Sequence, residues 1–424
     1  MRTVKSKLNV VTLVFVGALL MVTFSLSVSG IAAEEQVTLK VILPANPEGE
    51  VIKQCIPKFE EETGIKVDLT DVAVEQLDTK ITVELYTGAK TADVIGGPYD
   101  WMPKYSKYLL PLDEYLTDQD REDFLPAALG AMTIDDKILG LPFAWTCMIL
   151  FYRTDLFEEK NLQVPKTWEE HLAVAEALTQ KDAGIWGTIV TAKNTEEPVG
   201  MLLNYIYQNG GDVIDDNNNI TLNSPEAIEA LQFMYDLVYK FKVAPPGASN
   251  YWCIDTLNLF NGGKLATAPN WSFMYGIANS DDTGLKGKIG MSLLPIKKRQ
   301  AVSLGGWSLY APNYTEHPKE AFEFIHFMTN TWAQSEMAIR GSNTPSRKST
   351  MADYPEIKAN PLFVVMFDAL SYSIPRTKYP HYRELQVILS EALSGCLAGT
   401  ITPEEALNKA ASEYEKVINE PYEL

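Results

Sequence analysis

Residues 140–152 read GLPFAWTCMILFY, an apolar and aromatic run without one charged side chain. Such a run is extended and buried on both faces. Asp155, Leu156 and Phe157 then begin a short helix-and-turn unit, and Pro165 and Lys166 follow it. Thr167 with Glu170 three residues later forms a capping box that opens a new helix. A buried strand feeding a new unit about one third of the way along constrains the chain strongly. It is either a core strand ahead of a helix or a crossing between two lobes, and the residues alone read both ways.

The chain before it has the rhythm of an α/β sheet. Residues 37–43 alternate and are β-rich, so they form a first strand. Val51, Ile52, Cys55, Ile56 and Phe59 fall at helical spacing and stop at Gly64, with Pro57 predicted to kink the helix. Residues 65–69 form a second strand, 74–86 a helix and 92–95 a third strand. This β-α-β-α-β order implies an open, largely parallel sheet, and such sheets bind ligands beyond the carboxyl ends of their strands. The loops at those ends are residues 44–48, carrying Asn46 and Glu48, and residues 96–101. The second reads GGPYDW: its glycines permit close approach of a ligand, and Tyr99, Asp100 and Trp101 offer aromatic faces and a carboxylate. A plain turn with a stacked surface aromatic reads the same residues.

The N-terminus is a targeting segment. Arg2, Lys5 and Lys7 precede an apolar run over residues 10–28, and Gly30, Ile31, Ala32 and Ala33 supply small residues before Glu34. An uncleaved anchor is the competing reading, but the run is at the short edge of the roughly 20 residues a bilayer span needs. We therefore expect cleavage near Ala32/Ala33, no lipid attachment because no Cys follows the run, and a periplasmic protein. A mature chain of about 390 residues makes two domains. The net charge of −19 argues against nucleic acid or an anionic membrane as partner. Cys55, Cys147, Cys253 and Cys396 have neither CxxC spacing nor a nearby His, so no zinc site is expected, while export leaves disulfides open. The four histidines are scattered and read as core or surface. The acidic stretch 212–219, DVIDDNNN, lacks the Gly and closing Glu of a calcium loop and reads as a solvated turn.

The order G-x-P-aromatic, apolar run, Y-R/N-x-D-L-F, short gap, P-x-T-W-E-E resembles the extracellular solute-binding proteins of bacterial ABC importers, in the sugar-carrying, maltose-binding-protein-like branch. Tyr152 is the Tyr of this order, Arg153 stands where that family most often has Asn, and residues 165–170 supply the last part. YSKYLLPLDEYL at 105–116, and NGGD followed by ITLNSPEAIEAL in the second half, carry the same likeness. The resemblance implies an α/β periplasmic-binding-protein fold: two α/β lobes joined by hinge crossings, with a ligand cleft between them. It implies a signal peptide over 1–33, an N-terminal lobe of 34–143 and 295–340, and a C-terminal lobe of 149–290 and 345–424. Hinges are expected near 144–148, 291–294 and 341–344.

It further implies the substrate-binding component of an ABC importer, which captures a mono- or oligosaccharide and delivers it to membrane permease subunits as a monomer. No cofactor, metal or catalytic residue is implied. Trp271, at the end of a strand after Pro269, stands where the family stacks an aromatic on the sugar ring. Gly306 and Trp307 stand where it carries a glycine pair and ligand contacts. Trp145 and Thr146 fall at the first crossing, Asn204 in the apolar helix MLLNYIYQ, Trp252 in a loop before a helix, and Arg376 in the SIPR loop, within reach of the cleft.

A pyranose offers an apolar face for stacking on Trp or Tyr and a rim of hydroxyls for Asp, Glu, Asn and Arg. Of Trp101, Trp145, Trp252, Trp271 and Trp307, three or four are expected in the cleft. Two rivals remain. A cation-binding receptor, for a polyamine for example, needs several acids in the cleft in place of an aromatic-and-amide set; a peptide is the other non-sugar ligand. A glycoside hydrolase needs two carboxylates facing each other across the bond, for which Glu48 and Asp100 are the candidates.

Overall fold

The computed structural model describes residues 36–215 and 217–419. The leader and its cleavage site lie outside them. Strands β1 (Thr38–Pro44), β2 (Lys66–Val72) and β3 (Val94–Pro98) pair in parallel as β2-β1-β3, with the helices Pro47–Thr63 and Val74–Thr87 between them. Leu39, Val41 and Leu43 of β1 face one apolar core and Ile42 faces another, so the sheet is buried on both sides, as parallel sheets are. The first helix remains one helix through Pro57, and Gly64 closes it in the left-handed conformation.

Beyond a two-stranded hairpin of β4 (Thr133–Ile134) and β5 (Lys137–Ile138), the apolar run is a single long strand, β6 (Leu141–Arg153). Its first half pairs antiparallel with β9 (Val302–Tyr310), which also pairs with β3. Its second half pairs with β7 (Thr267–Trp271) and β8 (Ile289–Ser292). A short β10 (Ser373–Ile374) lies beside the start of β9. The sheet therefore runs β2-β1-β3-β9-β6-β7 without a break, with β8 and β10 attached to β6 and β9.

The side chains behind this continuous sheet divide into separate cores. Phe143, Ala144 and Trp145 of β6 pack with residues of the first half, whereas Cys147 to Phe151 join a large core reaching Tyr414. Thr146 stands at the change-over, its hydroxyl 2.7 Å from that of Ser272. β6 thus contributes side chains to the cores of both halves.

Two later stretches also have contacts in both halves. Leu294, Ala301 and Val302 pack in the large core, and Leu304 packs in a core of the first half, so β9 contributes to both. Arg347 bonds Asp123 at 3.1 Å and Ser349 bonds the same carboxylate at 2.7 Å, which keeps 344–349 with the first lobe. Ala338 belongs to the large core, and Met351 and Tyr354 pack against it. The anchoring of Arg347 and Ser349 by Asp123 is invisible in sequence. The capping box is also half made: Thr167 caps Glu170, while the Glu170 carboxylate accepts the Lys166 amide instead. All four cysteines are free and buried. Asp215 accepts the amides of Asn217 and Asn219, closing its own turn. No helix among the described residues is long and apolar enough to cross a membrane.

Candidate functional site

The two lobes enclose a cavity of about 970 Å³, its open mouth included. One wall comes from the loops after β1 and β3, as the parallel sheet requires. Asn46 caps the first helix by accepting the Gly49 amide at 2.7 Å, which presents Asn46 and Glu48 to the cavity. Asp100 and Trp101 reach it from the 3-10 turn Tyr99–Trp101. The crossing strands supply Thr146, Gly305, Gly306 and Trp307. The second lobe supplies Glu197, Trp252, Trp271 and Arg376, among others.

Trp271 is the most constrained of these. β7 ends on it, and its indole N–H donates to Glu197 Oε1 at 2.6 Å. Its six-membered ring lies against bare backbone: a Cβ on Gly305 would come within 2.4 Å of it, and one on Gly200 within 3.0 Å. The absence of side chains at those two positions is what lets the ring lie flat in the wall. Glu197 also accepts the Cys253 amide at 3.0 Å. Burial pushes its pKa up to about 7, against the lowering effect of the Trp271 and Cys253 hydrogen bonds and of Arg376.

Arg376 forms the floor. Its Nη1 donates to Asp100 Oδ2 at 2.9 Å, its Nε to Ser303 Oγ at 2.9 Å, and its amide to the Tyr99 hydroxyl at 3.0 Å. The guanidinium also lies 5.6 Å from the Trp271 ring centroid. Burial raises the Asp100 pKa and Arg376 opposes it. Glu48, 5% exposed, is pushed up to about 7 by burial, with its own amide and Asn343 acting the other way. At the edge, Arg383 reaches Asp78 of the first lobe at 3.2 Å and Glu196 of the second at 2.9 Å, and lies 5.1 Å from the Trp101 ring. Trp101 in turn donates to Gln386 at 3.3 Å.

Of the expected site residues, Asn46, Glu48, Asp100, Thr146, Trp252, Trp271, Gly306, Trp307 and Arg376 line this cavity. Three do not. Tyr99 is buried behind it, its hydroxyl spent on Arg376 and on the Leu304 carbonyl. Trp145 packs on Tyr99 at 5.8 Å, on the core side of β6. Asn204 accepts the Ser303 amide at 2.6 Å and so fastens β9 to the second lobe. Four of the five tryptophans at strand or loop ends thus reach the cavity. Glu196, Glu197, Phe273 and Gln386 were missed. The Glu196–Glu197–Pro198 sequence reads as an ordinary acidic first turn, and only the fold turns Glu197 inward. Among the described residues no cluster of His, Cys, Asp or Glu could hold a metal ion.

The arrangement is that of a receptor cleft: aromatic faces, hydrogen-bonding side chains, and strands that cross between lobes beside the ligand space. In sequence, the chain is 25% identical over 408 residues to a probable ABC transporter-binding protein of Deinococcus radiodurans, covering 92% of this chain and 97% of that one. In structure it is similar to the maltose-bound T. maritima MalE3, at 28% identity and a TM-score of 0.84, covering 90% of this chain and 100% of that one. It is also similar to an ABC transporter solute-binding protein of Agrobacterium radiobacter K84 in complex with ribitol, at 26% identity and a TM-score of 0.81, covering 90% and 98%. Residues 54–364 match the family model for bacterial extracellular solute-binding proteins. The chain belongs to the bacterial extracellular solute-binding protein family.

Proposed function

We propose that this chain is the substrate-binding component of an ABC importer and captures a carbohydrate in the interlobe cavity. The observation that carries this reading is Trp271, an indole held edge-on by Glu197 and flattened against Gly200 and Gly305 beside an open cavity. A ring so fixed loses little entropy when a pyranose face stacks on it. Thr146, Asp100, Glu48 and Arg376 surround it with groups that bond hydroxyls. The maltose and ribitol held by the two similar structures are polyhydroxylated, which supports the same class of ligand.

Closure pivots about Thr146 on β6, residues 303–306 on β9, and residues 350–354, and shifts an open–closed equilibrium toward closed. The closed form is what permease subunits read. As a member of an extracellular family the chain is exported; we place it in the periplasm, cleaved near Ala32/Ala33, acting as a monomer without nucleic acid or cofactor. The sugar leaves unaltered, so no catalytic role is assigned.

A thermal-shift screen of the mature protein against mono- and oligosaccharides, sugar alcohols, polyamines and short peptides tests this. A sugar raises the midpoint by mass action and is recovered intact. A response to polyamines or peptides alone, or a cleaved sugar, overturns the reading.

A further inference from the structure

The cavity holds more carboxyls than cations. Glu48, Asp100, Glu196 and Glu197 line it, and Arg376 is the one Lys or Arg among the lining residues. Asp100 is committed to Arg376 and Glu196 to Arg383, both at 2.9 Å. Glu48 and Glu197 enter no ion pair among the described residues; Arg376 acts on Glu197 only through the longer-range field. The two face the same cavity, which is also lined by Cys253, the residue whose amide Glu197 accepts at 3.0 Å. Lys193 lies 4.7 Å from the Trp252 ring but does not line the cavity.

Two buried acids without a cation are costly to keep ionised, and burial pushes both carboxyls up to about 7. A neutral sugar accounts for the aromatic walls and leaves that cost unexplained, because hydroxyls are served as well by amides, and of the amides here only the carbonyl oxygens are engaged, Asn46 Oδ1 by the Gly49 amide and Gln386 Oε1 by the Trp101 indole. A polyamine accounts for the acids and leaves the flat, rigid Trp271 without a partner. One ligand chemistry uses both.

We propose that the ligand is an amino sugar, a carbohydrate bearing a protonated amine, whose ring stacks on Trp271 and whose ammonium is received by Glu48 and Glu197. The proposal rests on the carbohydrate reading above and narrows it. Aromatic faces beside the two acids add cation–π attraction to the ion pairs.

Titration calorimetry on the mature chain tests it with matched sets of equal length: glucosamine, its dimer and trimer; the N-acetylated forms; and glucose, cellobiose and cellotriose, with galactosamine and galactose alongside. Spermidine is the amine without a sugar. The amine forms bind about tenfold or more tighter than both their acetylated and hydroxyl counterparts, the scale of one charge-assisted bond. Glu197→Gln and Glu48→Gln each shrink that ratio toward one; having two variants guards against one failing to fold. Equal affinities, a preference for the neutral forms, or no binding by any amino sugar overturns the amine while leaving the carbohydrate reading standing. Spermidine binding with no sugar bound overturns both.

Discussion

The floor of the cleft and its edge are each tied by an arginine, and the two ties differ in what surrounds them. Arg376 is 8% exposed and Asp100 3%, with Ser303 and Tyr99 completing the contacts. Arg383, its side chain 12% exposed against 9% for Arg376, joins Asp78 and Glu196, whose side chains are 24% and 23% exposed against 2% for Asp100. Both arginines connect the first lobe to the second. At the floor, removing the cation strands an anion in a dry site. At the edge, water takes the place of the lost partner. The same chemical pair is therefore structural in one place and conformational in the other.

The largest effect separates them. Arg376→Leu leaves Asp100 buried and uncompensated, and its Oδ1 already has no hydrogen-bond partner. We expect a loss of about 3–5 kcal/mol of stability in urea unfolding. A loss under 1 kcal/mol would put the floor in the same class as the edge and break the contrast.

Trp271→Ala comes next, and its effect is on binding: about 2–4 kcal/mol of ligand affinity, read by calorimetry, with the circular dichroism of the native fold retained. Trp145→Phe is its control. It lies one strand over and behind the wall, so it leaves affinity unchanged even where it lowers the midpoint. Loss of affinity in both variants would dissolve the distinction between wall and core. Gly305→Ala sharpens it further. The added methyl meets the Trp271 ring at 2.4 Å, so the ring must tilt, and overpacking costs about 1–3 kcal/mol. Stability and affinity fall together; an unchanged affinity would mean that the ring's orientation is irrelevant.

The unpaired acids behave differently from the floor pair with pH. Glu48 is raised from 4.5 to about 7, so the folded state holds its proton where the unfolded chain has released it. Its contribution is complete below the unfolded value and is lost as pH rises through about 7. Glu48→Gln keeps the shape without the charge. Its midpoint matches wild type near pH 5 and exceeds it near pH 8. Thermal unfolding across that range checks this, and a difference that does not grow with pH counts against it.

How far the residues could be read follows from which forces are local. Parallel strands, β6 and the stop at Gly64 were legible because periodicity and capping act within a few residues. Trp252, Trp271 and Trp307 were legible as strand- or loop-end aromatics. Trp145 was not separable from them, since an all-apolar strand gives no alternation to say which side faces the cleft. Glu197 was hidden because an acid at a helix start is ordinary, and its inward turn depends on Trp271, 74 residues later. Arg383 and Gln386 sat unremarked in a helix whose partners, Asp78 and Trp101, lie in the other lobe. The tie of Arg347 and Ser349 to Asp123 was hidden for the same reason, since the partners lie more than 200 residues apart.

The smallest expected effect on stability is at the edge, and it is the one that reads closure. Arg383 links Asp78, on the helix whose Leu77 and Ile81 belong to the first lobe, to Glu196, at the head of a second-lobe helix. Arg383→Gln keeps a hydrogen-bonding head but removes the charge, so Asp78 retains only Lys104 and the Tyr105 hydroxyl, both from its own lobe. Stability changes by about 1 kcal/mol, between a pair open to water and one fully buried. The open–closed balance shifts by the same energy, because the link exists only when the lobes are together. Ligand dissociation, followed by stopped-flow tryptophan fluorescence, accelerates several-fold while association changes little, since the clasp forms after the ligand has entered. The ligand-free radius of gyration in solution scattering rises. A slower association with unchanged dissociation would instead make Arg383 a steering charge, and the edge would no longer be the conformational counterpart of the floor.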